Sequence, residues 1–579
     1  MAYFLKQANL KGRTYLSIVE SYYCPKRKGA AHRTYKSLES IETHKARGIK
    51  DPVAYFQKEV DKLNLEKEKE KVKLIGELSP RRKVGYFPLK AVMEKLKIRE
   101  ALEPFKYNTN FDFDLYSVLS SLVYARCVQP CSKHKTFHDV IPYLDENTDF
   151  SYHQLLTGLS YLGNDYKKFV ELFTRKTKLK FGIDTSTTFF DGTNFYFEID
   201  KEDDFKKNGP SKEKRHSPIV GLGLLLDANQ IPIGMHIYPG NESEKPVLRN
   251  VLKELKEQNN ITGRTIQVAD KGLNCAQNIL EAKRNRDGYI FSKSVKQLPE
   301  VEKKWILLTK DYHKKTDSKG NILFWFKECI DEFPYEYIDE NGKKHTVMIE
   351  EKRVVTFNPK LREKKVLEIK KLVEKAKKMK VSEAKKKEYG ESAKYIIFKS
   401  KSKDKVVATI NYAKINEDTS LAGFNLLVTS ELNMNAEEIH QIYHNLWVIE
   451  ESFKIMKSDL DARPVFLQKK ESIMGHFFIC YVSVLLQRLL QFKVLKNKYS
   501  SNDLFKLFKD FEVVKNEDST YINISAATDL LQDLTKLWNL PLTNYYLSEV
   551  QMNKIKNFKL WWKQELSLFL RASLKSQEL

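Results

Sequence analysis

The stretch that most constrains this chain is 443–457, Tyr-His-Asn-Leu-Trp-Val-Ile-Glu-Glu-Ser-Phe-Lys-Ile-Met-Lys. It contains no Gly or Pro and its apolar residues recur at helical spacing, which predicts a helix. Tyr443, Glu450 and Lys457 are seven residues apart, and seven steps of about 100° return to within about 20° of the start. The three side chains would therefore line one stripe of the helix.

A tyrosine, a carboxylate and a lysine on one stripe have two interpretations. Burying them costs energy unless each finds a partner, and a divalent metal for Glu450 with phosphates for Tyr443 and Lys457 would supply those partners. The alternative is a solvated helix face that carries an i,i+7 charge pair. The helix alone does not separate the two.

Two upstream aspartates favour the first interpretation. Asp191 lies within the β-branched and aromatic run 187–198, which predicts a strand. Asp270 ends the strand-like run 265–270 and is followed by a Lys-Gly turn. The carboxyl end of a strand is where α/β sheets bind their ligands. A strand Asp, a strand-end Asp and a helix Glu, in that order, predict a site of three carboxylates.

With these residues in place, the chain resembles the DDE transposases of bacterial insertion sequences. The matching group is the insertion-sequence-four superfamily, whose last acidic residue lies in a Tyr-x2-Arg-x3-Glu-x6-Lys helix. The three motif residues above match that pattern in register, whereas Leu446 stands where the family has Arg. Asp191 in Phe-Asp-Gly-Thr and Asp270 in Ala-Asp-Lys-Gly match the family's other two acidic sites.

The resemblance implies an RNase H-like catalytic core and an enzyme that cuts and joins DNA strands. It implies two Mg²⁺ ions, with Mn²⁺ able to substitute, held by Asp191, Asp270 and Glu450. Asp191 would bridge both ions, and the other two carboxylates would hold one ion each. Water would attack the phosphodiester at the element's end, and the freed 3′-hydroxyl would then attack in turn.

The remaining pattern of the core predicts an α/β fold with a mixed sheet. Runs 219–226 and 231–238 predict a hairpin, Ser243 caps a helix over 244–258, and 289–292 is a further strand. Asp227 and Asp184 are rival carboxylates, but we predict that both are turn residues that bond to backbone.

The balance of charge points to a polyanionic partner. Lys and Arg total 100 against 76 Asp and Glu, a net charge of +24, and nucleic acid is the commonest such partner. The candidate DNA contacts are Tyr443, Lys454 and Lys457 in the helix, and Lys212 and Arg215 in the basic loop 206–216. The six cysteines form no CxxC pair, which disfavours a zinc site.

No signal-peptide core opens the chain, and its most apolar run, 477–486, is too short to span a bilayer. We therefore expect a cytoplasmic, nucleoid-associated protein without a membrane partner. The predicted organisation has six parts: a small β-sheet with a charged helix (1–80), a helical and possible DNA-end-binding domain (81–180), the first half of the core (181–294), an α+β insertion (295–420), the second half of the core (421–495) and a helical C-terminal region (496–579).

The sequence thus predicts a transposase that binds inverted-repeat ends and target DNA, and that works as a homodimer on paired ends. Two alternatives stay open: a DNA-binding relative that has lost catalysis, with Leu446 as its first sign, and a structure-selective nuclease on the same fold.

Overall fold

A computed structural model describes residues 3–24, 29–71, 79–107, 109–146, 148–199, 201–210, 217–258, 260–339, 341–378, 390–402, 405–516 and 519–560. The chain divides into two compact units, Met1–Pro80 and Arg81–Leu579.

The first unit is a three-stranded antiparallel sheet followed by two helices. Ser40 ends the last strand, and its hydroxyl accepts a hydrogen bond from the Thr43 amide, which starts the first helix. The elements are β1 (Tyr3–Leu10), β2 (Arg13–Cys24), β3 (Gly29–Ser40), α1 (Ile41–Ala46) and α2 (Pro52–Lys71).

The second unit opens with a short strand and a group of helices that pack on the core. Ser151 begins one of these helices with a reciprocal capping box that it shares with Gln154. The elements are β4 (Arg81–Lys83), α3 (Phe87–Leu96), α4 (Ile98–Tyr107), α5 (Leu115–Val128), α6 (Lys133–Lys135), α7 (Tyr152–Asn164) and α8 (Tyr166–Phe181).

The first half of the core then alternates strands and helices. Strand β6 pairs antiparallel with both β5 and β7, while β8 pairs parallel with β5 and β9 pairs parallel with β8. Ser243 caps α9, as predicted. The elements are β5 (Thr187–Tyr196), β6 (Ile219–Leu226), β7 (Pro232–Pro239), α9 (Glu244–Glu257), β8 (Ile266–Ala269), α10 (Ala276–Arg284) and β9 (Gly288–Lys293).

The next segment, predicted as an insertion, continues the same sheet. Strand β15 joins β12 to β9, so the nine-stranded order is β10-β11-β12-β15-β9-β8-β5-β6-β7. The elements are α11 (Glu300–Leu307), β10 (His313–Thr316), β11 (Ile322–Ile338), β12 (Lys344–Phe357), α12 (Pro359–Lys377), β13 (Ile396–Ser402), β14 (Lys405–Ile410), α13 (Tyr412–Ser420) and β15 (Phe424–Thr429).

The second half of the core begins with strand β15 and is helical after it. The helical elements are α14 (Ala436–His444), α15 (Trp447–Lys454), a π-helical turn (Ile455–Asp459) and α16 (Lys470–Arg488). Among the described residues, one helical run, Lys470–Val494, is long and apolar enough to cross a membrane, but 94% of its most apolar window is buried inside the protein. It is the central helix of the main hydrophobic core.

The described part of the C-terminal region, up to residue 560, contains strands where the sequence predicts helix. Three short strands join β4 in a four-stranded sheet of order β18-β17-β16-β4. Their short β-branched and aromatic runs, such as Glu-Val-Val-Lys, favour strands over helix. The elements are α17 (Ser501–Asp510), β16 (Glu512–Lys515), β17 (Tyr521–Asn523), α18 (Asp529–Trp538), β18 (Tyr546–Leu547) and α19 (Glu549–Lys556).

Candidate active site

One of the predicted carboxylates, Asp191, lies on β5, and a second, Asp270, directly follows the neighbouring parallel strand β8. In the β5–β8 register, Phe190 is opposite Ala269. One residue further along, Asp191 is therefore beside Asp270, just where β8 ends. Neighbouring strands lie about 4.8 Å apart and opposed residues point to the same face, so both aspartates project from one face of the sheet.

The segment 443–457 contacts that face at both of its ends. The Tyr443 hydroxyl donates a hydrogen bond to Asp270 Oδ1 at 3.0 Å. The Lys457 ammonium donates one to Thr193 Oγ1 at 2.8 Å. Thr193 follows Asp191 by two residues on β5, so its side chain points to the same face. The two contacts attach the segment to both aspartate-bearing strands.

The Tyr443 hydroxyl lies in a largely buried environment with negatively charged carboxylates nearby. Burial raises the pKa of the Tyr443 hydroxyl above its usual value, and the negative charges of Asp270 and Glu450 raise it further. The hydroxyl therefore stays protonated near neutral pH and serves as a donor to the Asp270 carboxylate. Glu450 itself is exposed, in the first turn of α15, where a carboxylate interacts favourably with the helix dipole.

The prediction of one continuous helix over 443–457 is wrong. Helix α14 ends at His444, a turn follows at Asn445 and Leu446, and α15 begins at Trp447. The last residues of the segment form the π-helical turn. A phase of 100° per residue does not apply across a turn and a π-helix. The contacts of Tyr443 and Lys457, rather than that arithmetic, show which way the segment faces.

A family model described as the transposase DDE domain matches residues 183–486, more than half of the 579 residues. The chain belongs to the DDE transposase family. No curated protein matches it. As a DDE transposase, it is an enzyme that acts on DNA in transposition and recombination, and members of the family use divalent metal ions.

The described residues of the transposase contain no closed cluster of metal ligands. Within the part of the chain that the structure describes, no three His, Cys, Asp or Glu side chains lie close enough together to hold an ion. The types of donor nevertheless fit, because carboxylate oxygens are the ligands that Mg²⁺ prefers. Three carboxylates also repel one another, which disfavours a tight cluster of the side chains alone.

The neighbour of Glu450 has a different role. Arg488, in α16, donates a hydrogen bond to Glu451 Oε2 at 2.9 Å, and its side chain is fully buried. The same guanidinium also donates to the Val448 carbonyl and the Ser452 hydroxyl. Sequence reasoning missed Arg488, since no motif connects residues 37 positions apart.

Leu446, which replaces the family's Arg, is only 8% exposed and packs in the main core of the transposase. Lys454, one turn beyond Glu450, is exposed. Lys212 and Arg215 fall in 211–216, outside the described residues.

The rival carboxylates are turn residues, as predicted. Asp227 is fully buried and accepts hydrogen bonds from the amides of Ile231 and Asp184. Burial raises its pKa to about 6. Asp184 accepts a hydrogen bond from the Ser186 amide.

A cavity of about 380 Å³ opens beside Asp270 and Tyr443. Its walls also carry Lys271, Lys293 and Lys365, together with three carboxylates besides Asp270. One of the three, Asp418, is already paired with Lys296 at 2.8 Å. The cavity therefore combines positive side chains with the face that holds the two aspartates.

Proposed function

We propose that this transposase binds the inverted-repeat ends of an insertion sequence and catalyses strand cleavage and strand transfer there. The catalytic carboxylates are Asp191, Asp270 and Glu450. The observation that carries the proposal is the position of the two aspartates beside each other at adjacent strands. The segment above them bonds to both strands, and Glu450 lies between its two contacts.

The strand order supports an RNase H-like core. Such a core needs an antiparallel three-stranded unit. On the other side of its first strand, two further strands follow that run parallel to it. The order β7-β6-β5-β8-β9, with β8 and β9 parallel to β5, has that form. Membership of the insertion-sequence-four superfamily rests on Tyr443, Glu450 and Lys457.

The proposed metal ligands are the three carboxylates. When bound, two Mg²⁺ ions, or Mn²⁺ in their place, would neutralise these carboxylates and stabilise the attacking and leaving oxygens. Tyr443 acts before any substrate arrives, since its hydrogen bond orients the Asp270 carboxylate. Lys457 can exchange the neutral Thr193 hydroxyl for a phosphate oxygen, which is the stronger partner for an ammonium.

The reaction needs no covalent enzyme intermediate. A water oxygen forms a bond to phosphorus at the element's end, and the bond to the 3′-oxygen breaks. That oxygen takes up a proton and becomes a free 3′-hydroxyl. The hydroxyl oxygen then loses its proton and forms a bond to the phosphorus of a second phosphodiester, in the opposite strand or in target DNA. The bond from that phosphorus to its own 3′-oxygen breaks, and this oxygen takes up a proton and leaves as a new 3′-hydroxyl. A homodimer in the cytoplasm would hold both ends of the element for this step.

A cleavage assay tests the proposal. The substrate is a labelled duplex with the sequence that flanks the gene, including any inverted repeat there, incubated with Mg²⁺. We expect nicking at the repeat's end followed by strand transfer. Binding without cleavage would favour an inactive relative. Cleavage at positions that depend on DNA shape rather than on the sequence of the repeat would favour a structure-selective nuclease.

A further inference from the structure

A second cavity lies away from the three carboxylates. It has a volume of about 540 Å³ and lies between the end of α5 with α6 and the chain that follows the π-helical turn. The lining side chains used below are Arg126, Lys133, Lys135, Tyr152, Phe466 and His476.

The floor of this cavity is a buried basic pair. Lys133 Nζ lies 3.2 Å from His476 Nδ1, and His476 Nε2 lies 3.2 Å from the Ala462 carbonyl oxygen. Because a carbonyl can only accept, Nε2 carries the imidazole proton and Nδ1 accepts from Lys133. Lys133 is 6% exposed and His476 is 4% exposed. As an ammonium, Lys133 would keep two further N–H groups.

Arg126 brings a second buried cation to the same place. It is 5% exposed, and it donates to the carbonyl oxygens of Leu460 at 3.3 Å and Cys131 at 2.9 Å. Neither Arg126 nor Lys133 has a carboxylate partner among the residues for which the structure gives side-chain contacts. The one acidic residue in the cavity wall, Asp461, is exposed.

Two buried cations without a counter-ion are unfavourable. Burial lowers the pKa of the Lys133 ammonium well below its usual value, and the charge of Arg126 lowers it further. The pKa of His476 is lowered for the same reasons, burial first and then the charges of Lys133 and Arg126. An anion in the cavity would offset this cost by accepting hydrogen bonds from both cations.

We propose that this cavity binds a backbone phosphate of DNA, at a site separate from the three carboxylates. The inference rests on the proposed function, since it takes DNA as the ligand. Two features favour a nucleotide over a free anion: the cavity wall includes the aromatic side chains of Tyr152 and Phe466, the latter 71% exposed, and Lys135 is exposed there. Aromatic and basic side chains together suit the base and the phosphate of a nucleotide.

The site is also joined to the proposed catalytic segment through the backbone. Leu460 and Ala462, whose carbonyls accept from Arg126 and His476, follow Lys457 by three and five residues. A phosphate held by Arg126 and Lys133 would therefore bind against the chain that leaves the Glu450 segment.

The test compares three variants of the full chain. Lys133→Met removes the buried charge at similar volume, and Lys135→Gln removes an exposed charge at the same cavity. Lys253→Met is the control, since Lys253 is an exposed residue of α9 that pairs with Glu257. Affinity for a 30-base-pair duplex is measured over a range of salt concentrations, and thermal midpoints are measured with and without 10 mM inorganic phosphate.

We expect Lys133→Met and Lys135→Gln each to weaken DNA binding roughly tenfold and to reduce the log–log salt slope by about 1. Lys253→Met should leave both unchanged. Lys133→Met should also melt close to wild type, because the loss of an uncompensated buried charge offsets the loss of the hydrogen bond to His476 Nδ1.

Three results would overturn the inference. The first is a folded Lys133→Met or Lys135→Gln protein with wild-type affinity and slope. The second is a thermal shift by inorganic phosphate that Lys133→Met abolishes while DNA binding is unaffected, which would assign the site to a free anion. The third is a Lys133→Met protein that melts well below wild type, which would make Lys133 structural. Failure of wild type to bind any duplex would refute the proposed function itself.

Discussion

Arg488 and Glu451 form an ion pair of 2.9 Å that ties α16 to α15 one residue past Glu450. The guanidinium is fully buried, whereas the Glu451 carboxylate is partly exposed. Two adjacent glutamates therefore have different surroundings: Glu451 is held by the core, and Glu450 is free to face a ligand from the exposed side of α15.

The first prediction follows from that difference. Glu451→Ala should lower the thermal midpoint by about 2 °C or more, because it leaves the buried Arg488 charge without its partner. Glu450→Ala, the matched control on the same helix, should change the midpoint by less. Differential scanning calorimetry measures the thermal midpoints of both variants, and equal midpoints would show that the ion pair adds no stability.

The hydrogen bond from Tyr443 to Asp270 carries the second prediction. Tyr443→Phe removes a hydrogen bond to a charged group, which is worth about 1.5–3 kcal/mol, so end cleavage should slow roughly 10- to 100-fold. Tyr312→Phe is the control, because its hydroxyl donates to the Ile306 carbonyl instead. Single-turnover cleavage is the readout. If Tyr443→Phe cuts as fast as the control, the tyrosine does not orient Asp270.

Leu446 stands at one of the family's basic positions, and Lys454 is the nearest lysine or arginine on the segment. Lys454→Ala should therefore impair strand cleavage more than Lys469→Ala, an exposed lysine at the start of α16. Lys457→Ala should impair cleavage as well while the fold stays intact. Equal rates for the Lys454 and Lys469 variants would argue against local compensation.

Asp227 gives a prediction about pH. Burial raises its pKa from 3.8 to about 6, so its contribution to stability is complete below about pH 4 and is lost as the pH rises through 6. The Asp227→Asn variant has a neutral side chain that does not ionise in this pH range. Its thermal midpoint minus that of wild type should increase between pH 4 and pH 7. A difference that stays constant over this range would contradict the raised pKa.

The sequence predicted the elements whose pattern is local. The apolar run 219–226 and the serine cap at Ser243 each depend on neighbouring residues, and both agree with the structure. The break at Asn445 was not predictable, since no Gly or Pro marks it. The pairing of β12 with β15 and of β16 with β4 depends on partners distant in the chain, which periodicity does not reveal.

The residues of the candidate site divide in the same way, into those that a sequence motif identifies and those that only a contact distant in the chain identifies. Motif spacing selected Asp191, Asp270 and Glu450, and the parallel register then places the two aspartates side by side. Thr193 and Arg488 were not selected, because their importance comes from contacts with residues 264 and 37 positions away.

The most direct test of the central claim is a cleavage time course on a labelled inverted-repeat duplex, with binding of each variant checked by gel shift. Glu450→Gln, Asp191→Asn and Asp270→Asn should each abolish Mg²⁺-dependent cleavage while end binding persists, since each removes a carboxylate from the proposed metal site. Glu451→Gln and Asp227→Asn should still cleave. An active Glu450→Gln enzyme beside a folded but inactive Glu451→Gln enzyme would contradict the assignment of Glu450 and, with it, the roles of Tyr443 and Lys457.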